Sequence, residues 1–244
     1  MLSKKYEKYK KCNNTYKNYI FDCDGVILDS NHIKTTAMKE LVSPYGDEVL
    51  NEFICFHKLN AGLPRHKKFI HLFENILQIK ISSAYEQKLK QILEDFKKIT
   101  IKQLKITNEI VGFRDYISQL SLESKELKKS KKFVVSGAPQ SDLDFVLKYK
   151  NLDIFFDEIY GSPNTKLENL NILNSKYDLS NSIYFGDSMI DYNMAMEFKM
   201  DFVFVYGKSE FEDWREFFQD NNHKDHHRNH NHTNVETIKD FNFL

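Results

Sequence analysis

Five short runs of the chain are almost continuously apolar, β-branched or aromatic. They are Asn18–Cys23 (NYIFDC), Lys132–Ser136 (KFVVS), Asp157–Tyr160 (DEIY), Ser182–Phe185 (SIYF) and Phe202–Tyr206 (FVFVY). A strand with one wet face alternates apolar and polar residues; a continuous run predicts a parallel sheet covered on both faces. Helical patterns separate the runs. Leu143, Val146 and Leu147 recur at helical spacing in Asp142–Lys150, as do Leu167, Leu170, Leu173 and Tyr177 in Lys166–Tyr177. Strand–helix alternation of this kind predicts an α/β, doubly wound parallel fold.

The pattern changes after the first run. From Ser30 to Asn108 no strand-like run occurs. Ala84–Ile99 carries Leu89, Ile92, Leu93, Phe96 and Ile99 at three- and four-residue steps, and Pro44-Tyr45-Gly46 and Gly62-Leu63-Pro64 punctuate the segment. About 80 residues are too many for a loop in a compact domain. The expected organisation is an α/β core of residues 1–29 and 109–244 with an all-α insert of residues 30–108. Val235–Leu244 (VETIKDFNFL) regains apolar residues and is expected to dock on the core.

Composition narrows the function classes. Among 244 residues, 35 Lys and Arg balance 35 Asp and Glu, so no global field points to nucleic acid or to an anionic membrane. The basic runs near the N-terminus and from Lys125 to Lys132 read as solvated surface. Three cysteines, Cys12, Cys23 and Cys55, without a CxxC spacing indicate neither a disulfide framework nor a zinc ribbon. The basic N-terminus lacks the apolar core of a secretory signal, and no apolar run approaches the roughly 18 residues that span a bilayer. A cytoplasmic protein with a small-molecule partner is expected. The tract Asn221–His232 (NNHKDHHRNHNH) reads as a solvated surface loop; the alternative is a transition-metal site.

Candidate chemistry lies at the strand ends. The first strand ends in Asp22-Cys23-Asp24-Gly25-Val26. Buried carboxylates are heavily penalised unless paired, and the carboxyl edge of a parallel sheet is where such folds bind ligands. Cys23 should point away from Asp22 and pack under a helix, while Gly25 allows the chain to turn sharply off the strand. The fourth strand ends in Phe185-Gly186-Asp187-Ser188, with Asp191 four residues after Asp187. Asp191 has two readings, a helix N-terminal charge or a member of the acidic site. If the two strands are neighbours, their carboxylates repel unless a cation joins them, and all-oxygen donors suit magnesium. Ser136-Gly137 after the second strand can cradle a phosphate oxygen. Lys166, after the third, can neutralise a phosphoryl group.

Four such signals, each after a predicted strand and in this order, resemble the signature motifs of the haloacid dehalogenase superfamily. The likeness is greatest to the branch of phosphoglycolate phosphatases and β-phosphoglucomutases, whose first motif continues much as Val26-Ile27-Leu28-Asp29-Ser30 does here. The resemblance implies a Rossmann-like core with a mobile α-helical cap. It further implies a magnesium-dependent phosphatase of small phosphomonoesters. Asp22 would be the nucleophile and Asp24 the acid and base, with Ser136 and Lys166 on the transferring phosphoryl oxygens. Magnesium would be held by Asp22, the Asp24 carbonyl and Asp187, with Asp191 on the metal's water shell or on Lys166. Gly25 and Gly137 would lie against the substrate. Dehalogenases of the superfamily lack the acid two residues after the nucleophile, so Asp24 favours phosphoryl transfer. Phosphomutases of this branch place a histidine twelve residues after the nucleophile, where this chain has Lys34. Asn60, Arg65 and Lys68, around the Gly62–Pro64 turn, are the expected readers of the leaving group, or else a charged helix surface. A phosphomutase and a catalytically silent binding module are the alternatives.

Overall fold

In a computed structural model, the described residues are 16–127, 130–218 and 233–243. Cys12 and the histidine-rich tract, the candidate transition-metal site, lie outside them.

The first apolar run forms β1 (Asn18–Phe21). It is joined by β2 (Lys131–Pro139), β3 (Glu158–Ser162), β4 (Ser182–Gly186), β5 (Asp201–Val205) and β6 (Val235–Ile238) in one wholly parallel sheet of order β3-β2-β1-β4-β5-β6. All five runs read from the sequence are strands. The sixth strand is part of the segment expected only to dock. Its middle residues Glu236 and Thr237 are exposed and only Ile238 is buried, so four residues at the sheet edge carry too little apolar pattern to announce a strand.

The insert contributes α1 (Asn31–Val42), α2 (Asp47–Leu59), α3 (Arg65–His71) and α4 (Ser83–Ile106), and no strand is found there. These helices have a core of their own around Met38, Phe53, Phe69, Phe73 and Phe96, in which Phe53 and Phe69 stack at 5.7 Å. Ser82 starts α4 by accepting a hydrogen bond from the Tyr85 amide, and the helix runs past Ile99 to Ile106.

The remaining helices cover the sheet. On one face α5 (Phe113–Leu127) and α6 (Gln140–Tyr149) bury Phe113, Ile117, Leu143 and Val146 against Phe21, Val134 and Phe185. On the other, α7 (Lys166–Tyr177) and α8 (Met189–Glu197) bury Leu170, Leu173 and Ala195 against Ile20, Phe133 and Tyr184. Successive strand residues thus enter opposite cores, and Cys23 joins the Phe21 side, buried and unoxidised. Among the described residues no helix is long and apolar enough to cross a membrane.

Candidate active site

Because β1 lies between β2 and β4, with Phe21 opposite both Val134 and Phe185, four strand ends converge at one point of the carboxyl edge. Asp22 leaves β1, its amide donating to the Phe185 carbonyl at 2.9 Å. Asp187 leaves β4. Ser136 lies in β2, its hydroxyl accepting from the Ala138 amide at 3.2 Å. Lys166 begins α7, which Thr165 and Glu168 cap reciprocally. Its Nζ lies 3.0 Å from Asp22 Oδ2 and 2.5 Å from Asp191 Oδ1. All of these residues are buried.

Both readings of Asp191 hold at once. Ser188 is the N-cap of α8 and Asp191 its third residue, in a capping box. Asp191 Oδ2 accepts from the Ser188 hydroxyl at 2.6 Å and from the Asp187 and Ser188 amides. Oδ1 accepts from Lys166 and, at 2.9 Å, from the Tyr184 hydroxyl. A carboxylate with both oxygens so engaged is better placed to hold Lys166 than to ligate an ion directly.

The charge at this point does not balance. Ligand oxygens of Asp22, Asp187 and Asp191 lie within 4.8 Å of one another, and Lys166 is the ammonium that pairs with them. Burial pushes the Asp22 carboxyl up to about 7; Lys166 opposes this, while Asp191 and Asp24 add repulsion. Burial, then Asp22 and Asp191, hold Asp187 well above the usual carboxylate range. Lys166 is raised, because Asp191 and Asp22 outweigh its burial. Unmet negative charge on oxygen-only donors fits a hard divalent cation such as magnesium.

Asp24 faces the same cavity. Its Oδ1 accepts from Ser30 Oγ at 2.5 Å and its Oδ2 pairs with the Lys34 ammonium. Burial raises its pKa, but Lys34 wins and the net shift is downward. Gly25, at φ +78°, folds the chain between the two acids, and a Cβ there would fall 2.1 Å from Asp187 Oδ2. Gly137 is equally constrained, because the Gly62 carbonyl would lie 2.1 Å from its Cβ. A Gly137→Ala methyl is therefore expected to push the Gly62–Pro64 turn off the strand ends. Displacements of about 1 Å cost up to about a hundredfold in rate; steady-state kinetics with an unchanged far-ultraviolet spectrum would show this, and wild-type rates would refute it.

Of the three insert residues expected to read a leaving group, the structure brings Arg65 and Lys68 to the cavity and leaves Asn60 out of its lining. Asn60 ends α2, and its side-chain amide turns back to the Phe56 carbonyl at 2.9 Å. Arg65 donates to Asp142 Oδ2 of α6 at 2.8 Å and lies over the Phe96 ring. Lys68 is buried against His57. The sequence reading missed Asn31, which donates to Asp187 Oδ2 at 2.6 Å, and Thr35, His57 and Glu210. None of these carries a local motif. Glu210 had one signal, its place in the loop after β5, at the same edge of the sheet.

Residues 19–205 match the family model of haloacid dehalogenase-like hydrolases. No curated protein matches the chain. Among solved structures, CbbY from Rhodobacter sphaeroides in complex with phosphate is similar at a TM-score of 0.61 and 11% identity, covering 93% of this chain and 95% of that one. The β-phosphoglucomutase of Clostridium difficile is similar at 0.60 and 16%, over 88% and 100%. A haloacid dehalogenase-like family hydrolase from Streptococcus pneumoniae follows at 0.58 and 16%, over 91% and 93%. At these identities the structures speak for the fold, which is theirs, while the family model spans most of the chain and all four acidic and basic strand ends. The chain belongs to the haloacid dehalogenase-like hydrolase family.

Proposed function

We propose that this chain is a magnesium-dependent phosphatase of a small phosphomonoester, acting through an aspartyl-phosphate on Asp22. The observation that carries the reading is the buried cluster in which Asp22 sits 3.0 Å from Lys166 beside Asp187, with Asp24 two residues on and facing the same cavity. Asp22 attacks phosphorus in line, and Asp24 gives a proton to the leaving ester oxygen. Water then attacks the phosphoaspartate, losing a proton to Asp24, and phosphate departs with Asp22 restored. Lys34 holds Asp24 as the carboxylate that this second half-reaction uses. Lys166, Ser136 and the Gly137 amide bind the phosphoryl oxygens, and Asp191 fixes Lys166. Asp22, Asp187 and the Asp24 carbonyl would hold magnesium, which when bound screens the nucleophile from the anionic ester and stabilises charge on the phosphoryl group. Residues 30–108 serve as a cap, and the Gly62 turn reaching Gly137 supports that reading. Free Cys23 and Cys55 accord with a reducing cytoplasm.

Phosphate release from a panel of small esters and an aryl phosphate, with magnesium and with chelator, tests the proposal. Full activity without divalent metal, or none with it on any ester, overturns it. The role of Asp24 has its own test. An aryl oxide leaves without much protonation and an alkoxide does not, so Asp24→Asn is expected to lower turnover of alkyl esters by about 10²–10⁴ while sparing most of the first step on aryl phosphates. Equal losses on both would make Asp24 a structural residue. Lys34, where phosphomutases of the resembling branch carry histidine, favours water over a sugar hydroxyl as the acceptor.

A further inference from the structure

The phosphoryl chemistry leaves one charged group of the cavity wall unused. Lys68 is 3% exposed, and among the described residues no carboxylate pairs with it. Its Nζ lies 2.8 Å from His57 Nδ1 and 3.2 Å from the His57 carbonyl oxygen. Beyond the ring, His57 Nε2 lies 2.9 Å from Thr35 Oγ1, and Thr35 Oγ1 lies 2.6 and 2.8 Å from the two oxygens of Glu210.

These four residues have one consistent set of protons. A carboxylate only accepts, so the Thr35 hydroxyl donates to Glu210 and must accept from His57 Nε2–H. His57 Nδ1 is then bare, and it accepts from Lys68. Burial, with Lys68 next, keeps the ring neutral. One Lys68 N–H goes to the ring and a second to the His57 carbonyl. The third has no protein acceptor among the described residues, and the side chain lines the cavity beside Asp24 and Lys34. The other cations of that wall are committed, Lys34 to Asp24 and Arg65 to Asp142. Burial first, then the charge of Lys34, lowers the Lys68 pKa to about 7, with Glu210 and Asp24 pulling upward and Lys166 downward. An ammonium in this position is costly unless an anion enters with the ligand.

We infer that Lys68 binds a second acidic group on the leaving part of the substrate, so that the substrate is a small phosphomonoester whose alcohol carries a carboxylate or a phosphate of its own. This rests on the phosphatase reading for the first phosphoryl group alone. A neutral alcohol would leave the buried donor unpaired, and sites built around a charged hydrogen bond reject ligands that lack it.

Binding separates the inference from the chemistry. Magnesium-loaded Asp22→Asn protein is titrated by calorimetry with three ligands of equal length: 2-hydroxyethyl phosphate, phosphoglycolate and ethylene glycol bisphosphate. At least one charged ligand is expected to bind about tenfold or more tightly than the neutral one, and which of them does so tells carboxylate from phosphate. Adding Lys68→Met should bring the three affinities together, to within about threefold. Methionine fills much of the same volume without the charge. A lysine whose folded pKa lies below its unfolded value costs stability where both states are charged, below about pH 7, and the cost fades as pH rises towards the unfolded value. The variant is therefore expected to melt no lower than its parent at pH 6. Equal binding of all three ligands, which needs no Lys68 variant to detect, overturns the inference, and so does a preference that survives Lys68→Met. Phosphate release from the same ligands by the wild type is scored apart. A charge preference in binding without turnover would remove the phosphatase reading alone, and equal turnover of all three would remove this inference alone.

Discussion

Asp22→Asn is expected to lower phosphate release on the order of 10⁴- to 10⁶-fold, the loss typical of removing the nucleophile from a covalent mechanism. The substitution keeps the shape of the side chain and the contact with Lys166, but an amide oxygen carries no charge with which to attack phosphorus. Stability separates this from damage. The folded pKa of Asp22, about 7, lies above its unfolded value. Its contribution is therefore present below the unfolded pKa and lost as pH rises through about 7. At pH 8 without metal the wild type holds a repelled carboxylate that the variant lacks, so the variant should melt as high or higher. Magnesium should raise the melting temperature of the wild type more than that of the variant. Substantial turnover by the variant would place the nucleophile elsewhere. Lost turnover with a collapsed melting temperature would leave the chemistry of Asp22 unproved.

Much of this arrangement is legible in the chain because a parallel sheet writes its burial and its chemistry in the same place. Tyr19-Ile20-Phe21 and Ile183-Tyr184-Phe185 are apolar on both faces, so each announces a strand, and the first acid after each is by construction at the carboxyl edge. The order β2-β1-β4 then makes neighbours of Asp22 and Asp187. What is not legible depends on contacts between distant elements. Glu210 meets Thr35 across 175 positions, and nothing local distinguishes it from Glu212, which pairs with the exposed Lys58. Lys68 and Lys67 are adjacent, and the sequence does not say which of them turns inward. Arg65 has the right chemistry for a substrate anion, yet Asp142 lies within its reach. Asn60 sits near the right turn, but the end of α2 offers its side chain a nearer acceptor. Helix propensity fixes where these residues sit along the chain; packing of the insert against the core decides what each one touches.

Lys166→Met is expected to harm the fold as well as the chemistry. Lys166 is 2% exposed and is the ammonium that pairs with both Asp22 and Asp191. Removing one partner of a buried ion pair costs about 3–5 kcal/mol, because the remaining charge is left without compensation. For a chain of this size that corresponds to roughly 10 °C in melting temperature. The pH dependence identifies the cause. Lys166 has a folded pKa raised above its unfolded value, so the stability it contributes is fully present through neutral pH and is lost only at strongly alkaline pH. In the variant, Asp22 and Asp187 both have raised folded pKa values and no ammonium beside them, so its deficit should be largest at pH 8 and shrink towards pH 5 as the carboxyls take up protons. Magnesium should restore part of the melting temperature at pH 8, because a divalent ion can supply the missing positive charge to the same oxygens. Turnover should stay low even then, because the ion does not replace the ammonium beside the phosphoryl oxygens. Thermal melts of wild type and variant across pH 5–8, with chelator and with magnesium, make the comparison. A variant that melts like the wild type at pH 8 in chelator would mean that the three carboxylates coexist without a cation, and the electrostatic case for a metal at this site would go with it. Arginine is not expected to substitute, because its planar guanidinium needs more room than the buried ammonium occupies between Asp22 and Asp191.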